Sequence, residues 1–148
     1  MPLSLTVVTA ERTVLQRDDV LRLIVPAADG QITILPSHTA LMSSLGFGEL
    51  TVVCPGETIG MAVLGGFLQV ANDRVTVLAD AAERADEINE ERADAARDRA
   101  QRRLAGQYAG AEALNVLRAR LAAERALVRL RVRRRYHGTG VPSLRERA

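Results

Sequence analysis

The sequence is short of residue types that many functional sites require. Cys54 is the single cysteine among 148 residues, so the chain forms no internal disulfide bond and no thiolate metal cluster of its own. Lysine and tryptophan are absent, and there are only two Tyr, two Phe and two His. So few aromatic side chains leave few stacking platforms for single-stranded nucleic acid. No apolar run approaches the roughly 18 residues of a membrane-spanning helix.

The N-terminal residues also lack the features of a targeting segment. They contain neither a basic stretch followed by an apolar one nor the composition of a transit peptide. We therefore expect a soluble, cytosolic protein that does not insert into a membrane. A length of 148 residues is enough for one domain with a hydrophobic core, or for one domain with an appendage.

Charge is distributed unevenly along the chain. Residues 1–83 carry four Arg and nine acidic residues, whereas residues 84–148 carry sixteen Arg and nine acidic residues. The basic excess lies in residues 111–148, which hold ten Arg and three acidic residues. A solvated helix face is the usual explanation of a charge run. The high density of arginine in residues 129–135, RLRVRRR, also fits an anionic partner.

The first 79 residues have the pattern of β-strands. Apolar and polar residues alternate with period two, as in LSLTV, and the turn-forming segments PAADGQ, LGFGE, CPGE, LGG and ANDR separate the apolar runs. Seven to ten short strands at this spacing predict an antiparallel β-sandwich or barrel. Gly65 and Gly66 interrupt an apolar stretch, which predicts a tight turn or a close approach of another backbone.

The following residues have the pattern of two helices. Residues 86–105 contain no Gly or Pro and are rich in Ala, Glu and Arg, which predicts a helix with Asp86 as its N-cap. The segment GQYAG at 106–110 breaks this helix, and a second helix is predicted at 111–135. The predicted apolar seam of the second helix is Leu114, Leu117, Leu121 and Val128.

The two helices are predicted to form a hairpin with weak packing. Ile88, Leu104 and many alanines provide the apolar surface of the first helix, and alanine buries little area. We therefore expect the hairpin to be marginally stable in one position and able to move. The predicted division is a β-domain at 1–84, a helical hairpin at 85–135 and a flexible tail at 136–148.

The residues capable of chemistry do not form a catalytic arrangement in the sequence. His38 has no partner in its own segment, LPSHTAL, and no metal-ligand spacing or nucleophile elbow surrounds it. GFGEL and LGG lack a phosphate-binding fingerprint, so turns explain them better than nucleotide sites. These features predict a protein that is not an enzyme and has no metal site, in which the segment around His38 is an interaction loop.

Several motifs, in their order, carry a family resemblance. They are DGQITILPSHTALMSSLGFGEL, then VLGGFLQV, then VTVLADAAERADEINEERA. Over residues 3–135 the chain resembles the epsilon subunit of bacterial F-type ATP synthase. Ser37 stands where that family usually has Gly, and Ala40 where it often has Pro. The resemblance implies an N-terminal antiparallel β-sandwich followed by a C-terminal antiparallel two-helix hairpin.

The resemblance also implies a role without catalysis. Epsilon-type subunits sit in the central stalk with the gamma subunit and help couple ion flow through the c-ring to ATP synthesis in the beta subunits. Such a subunit lies peripherally at the cytoplasmic side of the bacterial inner membrane, needs no cofactor and has no nucleic-acid partner. The residues implied in contact with the c-ring and gamma subunit are Gly30, Gln31, Pro36, Ser37 and His38.

A regulatory role is implied for the hairpin. In many bacterial members it extends along the gamma subunit and inhibits ATP hydrolysis. Weak packing and a basic second helix, able to meet an acidic stretch of the beta subunit, agree with this role. The candidate inhibitory contacts are Arg118, Arg120, Arg125, Arg129, Arg131, Arg133, Arg134 and Arg135.

Some members also bind ATP on the folded hairpin as a regulatory ligand, through a motif [IL]-D-x-x-R-A. The motif positions that this chain fills are Ile88, Asn89, Arg92 and Ala93, with Asn in place of the family's Asp. Arg99 lies two turns after Arg92, about 10.5 Å along the helix, so both arginines and one from the second helix are placed to grip an anion. Glu83 is a supporting candidate. The alternative is that these arginines pair with neighbouring carboxylates on a solvated face.

A second function stays open on the sequence alone, that of a nucleic-acid-binding β-domain with an Arg-rich helical tail. Its binding would be electrostatic and unspecific. The acidic surplus of residues 1–83 argues against it. Salt-sensitive DNA binding by the isolated protein would favour this function, whereas a stable pair with the gamma subunit would favour the ATP synthase role.

Overall fold

The structure, a computed structural model, describes residues 2–105 and 113–136, and the side chains of the second range from residue 116 onward. The predicted helix break at 106–110, residues 111 and 112 of the predicted second helix, and the Leu114 side chain lie outside the described residues. The predicted tail does so too from residue 137 onward.

Eight strands form the N-terminal part, within the predicted range of seven to ten. In chain order they are β1 (Leu3–Val8), β2 (Thr13–Val20), β3 (Arg22–Ala27), β4 (Gly30–Ile34), β5 (Leu41–Cys54), β6 (Glu57–Ala71), β7 (Arg74–Ala79) and β8 (Ala82–Arg84). Hydrogen bonds join them in the order β2-β1-β7-β6-β5-β3-β4, with β8 paired to β6. The predicted β-domain is confirmed, with one difference: β1 and β7 run parallel, whereas the other pairings among the described strands are antiparallel.

The sheet folds over on itself around one core. β2 and β5 lie four places apart in the strand order, yet the N–H of Leu21, just after β2, donates to the carbonyl oxygen of Val53 in β5 at 2.8 Å. This contact between β2 and β5 shows that the sheet curves back on itself, which brings the apolar faces of distant strands together. The alternate residues of β1 are fully buried in the core, as the period-two pattern predicts, namely Leu3, Leu5 and Val7.

The glycine-containing segments LGFGE and LGG are not turns, so that interpretation is wrong. β5 and β6 run through them for 14 and 15 residues. Gly66 has a φ of +121°, and a Cβ atom at this position would overlap the carbonyl oxygen of Leu78 in β7. The predicted close approach of another backbone is therefore confirmed at Gly66, whereas a Cβ atom at Gly65 would meet the Asp80 side chain.

The first helix begins three residues later than an Asp86 cap would place it. Asp86 lies in a short 3-10 turn, Ala85–Glu87, and Ile88 after it is extended and buried. The helix α1 (Glu90–Leu104) is capped by Asn89, whose side-chain oxygen accepts from the N–H of Arg92 at 3.0 Å. The prediction of Asp86 as N-cap is wrong because burial of Ile88 interrupts the helical backbone between the two acceptors.

The two helices, α1 and α2 (Ala113–Arg135), contact each other and run antiparallel. Arg134, near the end of α2, binds Glu90 at the start of α1, with Nε 3.0 Å from Oε1. α1 buries only Ala93 and Ala100, whereas Leu104 is exposed. The predicted hairpin is confirmed, and its interface is as poor in large apolar side chains as the composition indicates.

α2 buries two sets of side chains. One set recurs every three or four residues and is mostly alanine: Ala119, Ala123, Ala126 and Leu130. The other recurs every four residues and packs against Ala62 and Leu64 of β6 and against Ile88: Val128, Val132 and Tyr136. The predicted seam is right at Val128 and wrong at Leu117, which is 51% exposed, because small residues rather than leucine allow the close approach of α1.

Candidate functional site

One pocket lies between the 3-10 turn, the first turns of α1 and the middle of α2. Its volume is about 330 Å³. The structure brings all six residues that were predicted to bind ATP to this pocket, namely Glu83, Ile88, Asn89, Arg92, Ala93 and Arg99. Arg129 is the second-helix arginine that also lines it, together with Glu87 and Ala96.

The start of α1 forms one wall of the pocket by helical spacing. Asn89, Arg92, Ala96 and Arg99 follow one another by three or four residues, so they share one face of the helix. Alanine on this face leaves space between the two guanidinium groups. Within the part of the chain that the structure describes, neither Arg92 nor Arg99 has an ion pair. Among the described residues, no carboxylate neutralises these two arginines, which disfavours the alternative of charges paired on a solvated face.

The two carboxylates of the pocket are already bound to other arginines. Glu83 accepts from Nε of Arg129 at 2.7 Å. Glu87 binds Arg12 of the β1–β2 turn at two points, with Nη2–Oε2 at 2.7 Å and Nη1–Oε1 at 3.3 Å. The hydrogen bond from Arg12 lowers the pKa of Glu87, so this carboxyl stays ionised near neutral pH. With both acids paired, Arg92 and Arg99 leave the pocket an excess of positive charge that suits an anion.

The residues predicted to contact the c-ring and gamma subunit lie at both ends of β4. Gly30 and Gln31 begin this five-residue strand, and Pro36, Ser37 and His38 follow its end in a turn. Five residues of strand span about 16 Å, so a partner that touches both groups must cover the whole length of β4. Gly30, Gln31 and Ser37 are exposed, and Pro36 and His38 are partly exposed.

The turn after β4 explains why a glycine is usual at this place. Ser37 has a φ of +66°, in the left-handed region that favours glycine. Its N–H donates to Oδ1 of Asp73 at 2.6 Å, and the N–H of His38 donates to the carbonyl oxygen of Leu35 at 3.1 Å. Nδ1 of His38 lies 2.7 Å from the carbonyl oxygen of Thr39. His38 thus contacts neighbouring residues of its own loop, and its role as a contact residue stays a prediction.

The eight candidate inhibitory arginines of α2 divide into two groups. Four bind groups of the same chain: Arg129 binds Glu83, Arg133 the carbonyl oxygen of Ala85, Arg134 both Glu90 and Asp94, and Arg135 Glu49. The other four have no ion pair within the described residues: Arg118, Arg120, Arg125 and Arg131. The sequence alone did not indicate Glu49 or Arg12, because their partners lie 86 and 75 residues away in the chain.

An exposed apolar patch on the β-domain was also missed. Met42 of β5, Phe67 of β6 and Leu78 of β7 are 71%, 57% and 50% exposed. Phe67 pairs with Leu78 across β6 and β7, and its partner in β5, Ser44, is two residues from Met42. The three side chains therefore share one face of adjacent strands. The alternating pattern of β6 contains the signal, because Phe67 falls on the face opposite the buried Leu68.

Two further observations concern absences within residues 2–105 and 113–136. No group of three or more His, Cys, Asp and Glu is close enough there to hold a metal ion. No helix in these ranges is long and apolar enough to cross a membrane.

Comparisons with known proteins identify the family of the β-domain and of the chain. Residues 2–85 match the family described as ATP synthase, Delta/Epsilon chain, beta-sandwich domain. The chain is 53% identical over 96 residues to the ATP synthase epsilon chain of Roseiflexus sp., which covers 65% of this chain and 68% of that one. It is 43% identical over 132 residues to the epsilon chain of Herpetosiphon aurantiacus, which covers 89% and 94%.

Solved structures share the fold at low sequence identity. A chain of the Euglena gracilis mitochondrial ATP synthase, determined by cryo-EM, superposes with a TM-score of 0.70 at 22% identity, covering 83% of this chain and 76% of that one. A chain of the Tetrahymena thermophila mitochondrial ATP synthase central stalk and c-ring superposes with a TM-score of 0.62 at 12% identity, covering 90% and 97%. With the matched β-domain and the epsilon-chain relatives, the chain belongs to the ATP synthase epsilon chain family and is a non-catalytic subunit of that enzyme.

Proposed function

We propose that the protein is a central-stalk subunit that binds the gamma subunit and the c-ring and couples ion flow to ATP synthesis. Family membership supports this role, and the Tetrahymena chain of the same fold comes from a central stalk and c-ring assembly. The protein then lies peripherally at the cytoplasmic side of the bacterial membrane. The nucleic-acid alternative has little support, since Arg129, Arg134 and Arg135 bind carboxylates of their own chain.

The observation that carries the proposal is the exposed patch of Met42, Phe67 and Leu78. Large apolar side chains that cluster on the surface of a protein mark a site where another protein binds. The patch lies on β5, β6 and β7, the middle of the sheet, so a partner bound there would leave the β4 loops free for the c-ring.

Binding to the gamma subunit of the same enzyme tests this assignment. We expect Phe67→Ser to weaken the pair with the gamma subunit at least tenfold, because a central aromatic side chain supplies much of the energy of an interface. Leu21→Ser serves as the control, since Leu21 is similarly exposed, at 46%, but lies between β2 and β3, outside both the patch and the hairpin. If both variants and the unchanged protein bind the gamma subunit with equal affinity, the patch is not part of the interface.

We also propose that ATP binds in the pocket lined by Arg92 and Arg99 and stabilises the folded hairpin. Arg92 and Arg99, which have no ion pair among the described residues, suit the phosphates, and Arg129 lines the same pocket from α2. A ligand that contacts both α1 and α2 holds the helices together by binding the folded state alone. ATP is thus a regulatory ligand and not a cofactor of any reaction.

The hairpin is further proposed to inhibit ATP hydrolysis when it leaves the β-domain and extends along the gamma subunit. Its alanine-lined interface supports such a movement, because little apolar area is exposed when the helices separate. Arg118, Arg120, Arg125 and Arg131 are available to an acidic surface of the beta subunit. Extension would add the arginines that are bound to carboxylates in the folded state.

A further inference from the structure

The last described residues of the chain are held by a single carboxylate of the β-domain. The Tyr136 hydroxyl donates to Oε1 of Glu49, and Nη1 of Arg135 donates to Oε2 at 3.0 Å. Oγ1 of Thr51 donates to Oε1 of Glu49 at 3.1 Å. The Glu49 side chain is only 10% exposed. Both oxygens of a nearly buried carboxylate are therefore engaged, and two of the three donors come from the end of the hairpin.

A glycine provides the space into which the Tyr136 ring packs. Gly60 of β6 pairs with Thr51 of β5, and Ala62 pairs with Glu49, so this space lies beside the carboxylate. A Cβ atom at Gly60 would overlap the ring of Tyr136, which is fully buried. Gly60 is needed here for space, and any larger residue would displace the ring from the strand.

The apolar contacts of α2 are strongest at the same end. Val128, Val132 and Tyr136 pack on the β-domain, whereas α1 contributes only Ala93 and Ala100 as buried residues. A buried tyrosine removes roughly 150–250 Å² from water, far more than an alanine does. The attachment of the hairpin is thus concentrated in the last turns of α2.

We propose that Glu49, Gly60, Arg135 and Tyr136 form a latch that keeps the hairpin folded, and that extension of the hairpin begins with its release. Release leaves Glu49 without its two partners from α2, and it frees Arg135 for an anionic partner. The latch acts on the same helix as the ATP pocket, because Arg129 and Tyr136 are seven residues apart and lie on one face. The latch rests on the proposed inhibition only for its effect in the assembled enzyme.

Amide hydrogen exchange of the full chain tests the latch. We expect Tyr136→Phe, which keeps the ring and removes the hydroxyl, to speed exchange in the last three turns of α2 about tenfold or more, since a hydrogen bond to a charged group is lost. Arg135→Gln is expected to speed it about threefold, because this guanidinium is half exposed. Arg131→Gln is the matched control, the same change on the same helix at a residue without an ion pair in the described structure. Exchange in β1 and β7 is expected to stay unchanged.

Two results would overturn the latch. Exchange rates in α2 of Tyr136→Phe equal to those of Arg131→Gln would mean that Glu49 does not hold the helix. Faster exchange in β1 and β7 by the same factor would mean that Tyr136 is part of the global core and not a separable device. Because exchange is measured without the rest of the enzyme, a working latch with unchanged ATP hydrolysis would count against the inhibitory role alone.

Discussion

Arg129 of α2 and Glu83 of β8 form an ion pair, with Nε 2.7 Å from Oε1, although 46 residues separate them in the chain. The pair spans from the β-domain to the second helix and closes one side of the pocket that Arg92 and Arg99 line. It shows how the hairpin is attached, by charged contacts at its edges and apolar contacts at the end of α2. We therefore expect a ligand of this pocket to bind only while the hairpin is folded against the β-domain.

ATP binding is expected to depend on Arg92 and Arg99 of the pocket. Arg92→Ala should weaken binding to the full chain at least tenfold, because charge-assisted contacts to phosphate are lost. Asn89→Asp should strengthen it, since it restores the family motif and keeps the acceptor that caps α1. Calorimetric titration measures both, with Arg103→Ala as a control outside the pocket. If Arg103→Ala weakens binding as much as Arg92→Ala, the interaction is unspecific.

Inhibition of ATP hydrolysis is expected to depend on the four arginines of α2 that have no ion pair within residues 2–105 and 113–136. We expect the hydrolysis rate of the reassembled enzyme to rise several-fold when these residues are changed to Glu: Arg118, Arg120, Arg125 and Arg131. The introduced carboxylates would repel an acidic partner. The control variant carries the same charge reversal, Arg102→Glu and Arg103→Glu, at the end of α1. Hydrolysis rates that do not change in the four-residue variant would rule out this group as the inhibitory contact.

The ion pair between Arg12 and Glu87 is expected to make stability depend on pH. The lowered pKa of Glu87 means that its contribution is present above its ordinary value of 4.5 and is lost as the pH falls through the lowered value. Glu87→Gln should therefore lower the denaturation midpoint more at about pH 7 than at about pH 3. Both side chains are more than a third exposed, so the effect is small and high salt should reduce it.

The exposed Glu91, without an ion pair in the described structure, provides the control for this experiment. Glu91→Gln should lower the midpoint at about pH 7 by less than Glu87→Gln does. An equal loss for both variants at about pH 7 would show that the contact with Arg12 adds nothing specific.

The left-handed backbone at Ser37 is expected to cost stability. Ser37→Gly should stabilise the protein by about 0.5–1 kcal/mol, because glycine adopts this φ of +66° without a clash of its Cβ atom. Ser43→Gly, in the paired part of β5 near its start, should destabilise it by about the same amount, since glycine weakens a strand. Urea denaturation of both variants gives the comparison. A loss of stability in Ser37→Gly would mean that the Ser37 side chain makes a contact worth more than the strain.

Local patterns predicted the elements well, and the exceptions have identifiable causes. The alternation of β1 and the helix-forming composition after residue 86 were sufficient, because each reflects a short-range periodicity. The N-cap was misplaced from Asn89 to Asp86 because burial of Ile88 depends on contacts with α2 and β6. The glycines of β5 and β6 were interpreted as turns because a close approach between strands and a chain reversal favour the same residue.

In the candidate site too, features set by local sequence were predicted and features set by distant contacts were not. Ile88, Asn89, Arg92 and Ala93 were identified through the motif of the family that the chain resembles, and Arg99 through its helical spacing from Arg92, since all five lie within twelve positions of the chain. Arg12 and Arg129 were not assigned partners, since their ion pairs join distant segments. The exposed patch around Phe67 was missed because its three members come from different strands.

The sequence by itself determined the β-domain, the two helices, the excess of arginine at the C-terminal end and the motif that places five pocket residues on one segment. Each of these depends on spacing, composition or charge within a short stretch of chain. Only the tertiary structure decided which arginines of α2 are bound and which are available, and where the hairpin is attached. Those properties depend on Glu49, Gly60 and Glu83 meeting residues from the far end of the chain, and such meetings are set by the packing of the whole fold.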